Sequence, residues 1–235
     1  IYDPNSMELI GSYTVTDVTA LGLSYDVTVD KRIREDITGC LVGNTTRVPE
    51  LKVDNCIFRN KRNRGILAQV RNSEITNCAF YNVLHGPVMM NASFDIFAEA
   101  IIPRNITVKN CKFFDNNTCH GLTADVSAFR SGGTILADTV CGIVVENNYF
   151  SRSAGGAVYF CGTGDCVARN NLAYDIARDA RNDAERSMVA LVTDLNADVL
   201  NNYVYMSSAS EGFVLLYRSG AEGTEADGNG GFNID

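Results

Sequence analysis

Six segments of this chain repeat one short pattern, an apolar residue, a polar residue and an asparagine, followed by a second short apolar run. The first three are Val53-Asp54-Asn55-Cys56-Ile57-Phe58, Ile75-Thr76-Asn77-Cys78-Ala79-Phe80 and Val108-Lys109-Asn110-Cys111-Lys112-Phe113. Val145-Glu146-Asn147-Asn148-Tyr149-Phe150, Ala168-Arg169-Asn170-Asn171-Leu172-Ala173 and Leu200-Asn201-Asn202-Tyr203-Val204 follow. The asparagines that align (55, 77, 110, 147, 170 and 201) are separated by 22, 33, 37, 23 and 31 residues. Self-similarity at such a period signals a solenoid. The short steps fit one coil and the longer ones a coil plus a loop.

Alternation with period two sends Val53, Ile75, Val108 and Val145 to one inward position. Asparagine tolerates the left-handed bend that turns the chain, and its amide can bond the backbone. Stacked coil on coil, those amides are expected to form a ladder of satisfied hydrogen bonds. Phe58, Phe80, Phe113 and Phe150 are expected to stack inside in the same way. A Gly-led strand recurs at Gly65-Ile66-Leu67-Ala68-Gln69, Gly86-Pro87-Val88-Met89-Met90, Gly121-Leu122-Thr123-Ala124, Gly156-Ala157-Val158-Tyr159-Phe160 and Gly212-Phe213-Val214-Leu215-Leu216. Only Asp175 to Ser187 looks helical, which excludes a doubly wound α/β sheet. The fold class is therefore all-β: a parallel β-helix, right-handed because parallel crossovers take that hand.

The repeat does not reach the first 45 residues. There Tyr13–Val18 and Tyr25–Val29 alternate as antiparallel strands around a turn containing Gly22, a small β segment or barrel. The expected organisation is this segment over residues 1–45, the solenoid over 46–219, and a Gly- and acid-rich tail, flexible or truncated, over 220–235. The chain opens on Ile1 with no signal-peptide pattern, as a mature form or a domain cut from something longer would.

A net charge of −8 argues against nucleic acid as partner. No apolar run approaches the roughly 20 residues of a membrane span. Oligomeric state is not legible. Of eight cysteines, Cys56, Cys78 and Cys111 share one place in the repeat and read as buried thiols. Cys161 and Cys166 flank a Gly-Thr-Gly-Asp turn; an oxidising compartment would allow a bridge between them, and buried thiols are the preferred reading. With two histidines and Cys161–Cys166 the only close ligand pair, neither a metal nor another cofactor is expected.

Three groups carry candidate chemistry. Arg59, Lys61, Arg62 and Arg64, ahead of Gln69, could fork hydrogen bonds to an anionic or polyhydroxylated ligand, or form a solvated turn. The segment Asn91 to Glu99 holds two carboxylates, Asp95 and Glu99, with Phe94 and Phe97, the ingredients for acid–base work on a sugar, or for a loop pinned by its rings. His85, His120, Asp125 and Arg130 lie beside Gly-led strands, where a lone polar residue is more often structural.

From Asn44 through Pro49 and Asn55 to Leu67, and again over Ser73–Phe80 and the stretch from Glu99 to Asn110, the chain resembles glycoside hydrolase family 110. The stretch Arg62-Asn63-Arg64-Gly65-Ile66-Leu67 carries most of the likeness, which spans residues 10 to 175. That family consists of β-helical α-galactosidases that release terminal α-1,3-linked galactose with inversion. The resemblance implies a secreted or periplasmic bacterial enzyme acting on an oligosaccharide or polysaccharide, with Arg62, Arg64 and Gln69 in the groove and Glu99 as a carboxylate. Asp95 is the expected second carboxylate; His85 and Asn91 join the expected sugar-binding residues. Two departures stand out: Ser93 falls where the family has Asp, with Asp95 displaced by two positions, and this chain begins after the point of the family's acidic segment upstream of its barrel. These keep a second reading open, a glycan-binding or structural β-helix module of the tail-spike or adhesin kind. A lyase is a third reading, weakened by the lack of an Asp cluster for calcium.

Overall fold

The computed structural model describes residues 1–6, 8–93, 102–131, 135–208 and 212–233. Three parallel sheets run the length of a solenoid of seven coils. The first sheet contains Lys52–Asp54, Arg71–Thr76, Arg104–Lys109, Val140–Glu146, Val167–Arg169, Asp198–Leu200 and Glu225–Asp227, with the short strand Thr163–Gly164 also paired to Val140–Glu146. The second contains Ile57–Lys61, Ala79–Val83, Lys112–Phe114, Tyr149–Ser151, Leu172–Tyr174, Tyr203–Met206 and Gly230–Asn233. The third contains Arg64–Leu67, Gly86–Ser93, Ala124–Ser131, Gly156–Cys161, Ser187–Val192 and Val214–Ser219. The ladder thus continues past residue 219, where the repeat had left the sequence reading with a tail.

Left-handed residues turn each coil. Asn55, Asn77, Asn110, Asn147, Asn170 and Asn201 have φ between 53° and 57°. A second column, Asn60, Asn82, Asp115, Arg152 and Asp175, turns the chain from the second sheet toward the third. A third runs through Asn72, Asn105, Gly142, Asp165, Asn196 and Gly223. At Gly142 a Cβ would lie 2.7 Å from the Asn105 side chain, so this coil takes the residue without one.

The inward column of the first sheet keeps one register, Val53 to Ile75 to Val108 to Val145 to Ala168 to Val199. In the second sheet Phe58, Phe80, Phe113 and Phe150 stack face to face with centroids 4.7–4.9 Å apart. That is the inter-strand spacing, so ring contact and backbone pairing reinforce each other.

The amide ladder is displaced by one residue from its expected place. The turn asparagines are exposed, and the buried ladder is built by the residues after them, Asn148, Asn171 and Asn202, with Asn229 continuing it. Each accepts from the backbone N–H one coil before and donates to a carbonyl there: Asn171 takes the Asn148 N–H at 3.0 Å and gives to Val145 O at 2.9 Å. In the first three coils the same place holds Cys56, Cys78 and Cys111. The turn residue cannot do this, because its side chain leaves the solenoid at the bend.

At the N-terminus Val15–Leu21 pairs with Ser24–Val29 around Gly22, at φ 69°. Tyr2 is buried and bridges to Leu9 and Leu41. Arg130, 3% exposed, donates to the carbonyls of Pro4 and Asn5, tying this segment to the solenoid. The segment Asp175 to Ser187 is turns, and no helix is present among the described residues, hence none long and apolar enough to cross a membrane.

Candidate functional site

Along the third sheet, alternation buries Ile66, Val88, Val126, Val158 and Val189 in the core and turns Met89, Asn91, Ser127, Phe129, Ser131 and Tyr159 to the other face. On that face Gln69 Nε2 donates to Asn91 Oδ1 at 3.4 Å, and Asn91 Nδ2 donates to Ser131 Oγ at 3.4 Å. Two of the expected sugar-binding residues, Gln69 and Asn91, therefore meet, joined to a serine the sequence had not singled out. Arg62 is exposed. Arg64 is half-buried, its Nε 2.8 Å from Met89 Sδ and its Nη1 3.3 Å from Asn63 Oδ1. The His85 ring lies against Gly121, where a Cβ would come within 2.1 Å of it, so only glycine fits. Burial and then the Arg64 cation push the His85 pKa down, favouring a neutral ring. Asp95 and Glu99 lie outside the described residues.

Beside this row, a cavity of about 260 Å³ opens between two loops. Its lining includes His120, Phe129, Tyr159, Arg181 and Glu185. The first loop joins Phe114 to Ala124 and is fastened by Cys119 N–H to Leu84 O at 2.9 Å. The second, following Tyr174, lies back across the preceding coil, with Ala177, Arg178 and Asp179 N–H donating to Gly155, Ser153 and Ala154 carbonyls. That excursion carries Asp179 to within 2.8 Å of His120 Nε2. Glu185, 3% exposed, accepts from Arg181 N at 2.8 Å, Arg181 Nη2 at 3.0 Å and Asn182 Nδ2 at 3.1 Å. Arg181 Nη2 also reaches His120 O at 3.2 Å. His120 Nδ1 is buried, 3.8 Å from Glu185 Oε2, beyond hydrogen-bond reach. Phe129 and Tyr159 tilt at 45° with centroids 6.4 Å apart. The cavity is thus lined by charged groups already paired with one another and by two aromatic rings.

Other groups have structural duties. Asp125 is fully buried; Ser153 Oγ donates to its Oδ1 at 2.6 Å, its Oδ2 has no partner, and burial pushes its pKa up to about 7. Cys161 and Cys166 are free, buried thiols, and burial raises the pKa of both, which leaves neither a reactive thiolate. No group of three metal-ligating side chains forms among the described residues. The sequence reading missed Asp179, Arg181 and Glu185 because the segment looked helical. Phe129 and Tyr159 carried a usable signal, since each alternates with inward residues of a Gly-led strand.

The sequence matches the family described as right handed beta helix region over residues 39–231. No relative is found among curated proteins. Among solved structures, the chain is similar to the Streptococcus pneumoniae surface protein and adhesin PfbA, at 13% identity and a TM-score of 0.48, covering 78% of this chain and 56% of that one. It is also similar to alginate lyase from a Paenibacillus species, at 14% identity and a TM-score of 0.47, covering 78% of this chain and 72% of that one. This chain thus spans little more than half the length of the adhesin chain. With the family match taking in all three sheets and most of the sequence, the chain belongs to the right-handed β-helix family.

Proposed function

We propose that this protein is carbohydrate-active, a glycoside hydrolase of the α-galactosidase kind that takes its sugar on the outer face of the third sheet. One observation carries the reading. The hydrogen-bonded polar row Gln69–Asn91–Ser131 adjoins, through the register of Asn91 with Phe129, the cavity lined by Phe129, Tyr159, His120 and Glu185. Amides and hydroxyls serve sugar hydroxyls, and the aromatic rings serve the apolar face of a pyranose. Asp95 and Glu99, the expected carboxylates, follow closely in sequence after Ser93, the last residue of the strand that carries Asn91. Inversion needs one carboxylic acid on the leaving oxygen and one carboxylate on water, roughly 6.5–9.5 Å apart.

A second reading has its own support. Glu185, which lines the cavity, is engaged with Arg181 and Asn182, and Asp179 outside it with His120. Such groups bind more readily than they transfer protons, which favours a non-catalytic glycan-binding module.

The test is galactose release from α-1,3-galactosyl oligosaccharides, measured beside Glu99→Gln and Asp95→Asn. Turnover abolished in both variants is the expected result. Turnover unchanged in both would remove the assigned carboxylates. Sugar binding without turnover in the unaltered chain would leave the binding module.

A further inference from the structure

The chain carries a net charge of −8, yet between Asp54 and Glu74 it has five cations and no carboxylate. Elsewhere along the solenoid six cations are ion-paired: Lys52 with Glu74, Lys109 and Arg169 with Glu146, Arg152 with Asp115, Arg181 with Glu185, Arg186 with Asp183. Arg59, Lys61 and Arg62 differ. All three are exposed, and none forms an ion pair or side-chain hydrogen bond among the described residues. Arg64 touches a thioether and an amide, which leaves its charge uncompensated.

Their placement makes a band. Arg59 alternates onto the outer face of the second sheet, in register with Tyr81, and the exposed Lys61 follows the left-handed turn at Asn60. Arg62 and Arg64 carry the charge round the corner to the third sheet, where Gln69 begins the row of amides. Four cations on six consecutive residues of one coil repel one another with no ion-pair partner among the described residues, an arrangement that an external anion stabilises.

We propose that the sugar recognised here is anionic, a carboxylated or sulfated glycan whose acid groups lie on Arg59, Lys61, Arg62 and Arg64. This rests on the reading of the third-sheet face as a glycan site and narrows its ligand. Guanidinium forks match carboxylate and sulfate oxygens, and the adjoining amides match hydroxyls. A nucleic acid fits poorly, because its dense charge meets a chain that is net acidic outside this band.

The experiment is calorimetric titration of the full chain with three oligosaccharide sets: neutral galactan, oligogalacturonate beside its methyl ester, and sulfated galactan. The expected result is about tenfold tighter binding of at least one acidic set than of its neutral counterpart, from three exposed pairs of modest strength. The preference falls as salt rises. It disappears in the triple variant Arg59→Gln, Lys61→Gln, Arg62→Gln, which keeps its thermal midpoint, and neutral affinity holds in the double variant Arg59→Gln, Lys61→Gln, which leaves Arg62 in place. A second readout is the His85 titration by NMR, which moves up when a bound anion offsets Arg64. Equal affinity for acidic and neutral sets, or an acidic preference that survives the triple variant, overturns the proposal and leaves the glycan site standing. Binding of no glycan overturns both, and a single-stranded oligonucleotide binding as tightly as the acidic glycan overturns this one.

Discussion

The backbone N–H of Cys111 donates to Asn148 Oδ1 at 2.9 Å, at the coil where a column of thiols gives way to a column of amides. From there the amides bond one another: Asn148 Nδ2 to Asn171 Oδ1 at 3.0 Å, Asn171 Nδ2 to Asn202 Oδ1 at 2.9 Å. Replacing Asn171 with Ala strands the buried Asn148 N–H and removes the donor to Val145 O. Each unsatisfied group costs about 1–3 kcal/mol, so Asn171→Ala should cost about 2–5 kcal/mol in urea unfolding. The exposed neighbour Asn170 turns at φ 54°, and Asn170→Gly should cost well under 1 kcal/mol. Equal effects at the two sites would contradict a buried ladder.

Asp125 sets a pH dependence. Its folded pKa stands near 7 against an ordinary 3.8, so between those values the folded state holds a proton that the unfolded state has released. Stability contributed by this group is therefore greatest below about pH 4 and declines as pH rises to about 7. Asp125→Asn keeps the acceptor for Ser153 and cannot ionise. Relative to the parent chain it should gain on the order of 3 kcal/mol between pH 4 and pH 8. Guanidinium midpoints for both proteins across that range check the sign, and a flat difference would mean that Asp125 stays ionised when folded.

Much of the solenoid was legible because each coil repeats its constraints locally. Asn110 must bend left-handed and Phe113 must point inward within three residues of it, so pattern and fold coincide. The ladder slipped by one place because two adjacent asparagines, Asn147 and Asn148, are equivalent in sequence, and only the bend decides which faces inward. Arg181 and Glu185 have the spacing of a helical ion pair, yet Glu185 accepts from the Arg181 backbone N–H as well as its guanidinium, which closes a turn. His120 and Asp179 are 59 residues apart and meet only because a loop folds back over a whole coil. No local pattern encodes such a contact.

The ring column should respond most strongly at its centre. Phe113 is fully buried and stacked on both sides, by Phe80 and Phe150. Phe113→Ala should cost about 3–5 kcal/mol. Phe58 ends the column and is only partly buried, so Phe58→Ala should cost less than half as much. Thermal or denaturant unfolding of the two variants gives the ratio; a ratio near one would mean that stacking on the second face adds nothing.

The contact between His120 and Asp179 should act on the ligand more than on the fold. The Asp179 side chain is 77% exposed, so the pair lends stability of only about 0.5–1 kcal/mol. It nevertheless holds the second loop against the first, and with it the wall that carries Arg181 and Glu185. His120→Asn and Asp179→Asn should each weaken sugar binding about 3–10-fold, by letting a pre-formed wall open before the ligand arrives. Since both act through one contact, the double variant should bind no worse than the weaker single variant, a coupling that a double-mutant cycle reads directly. Fully additive losses would mean that each residue touches the ligand separately, and unchanged affinity in all three would move the sugar away from this cavity.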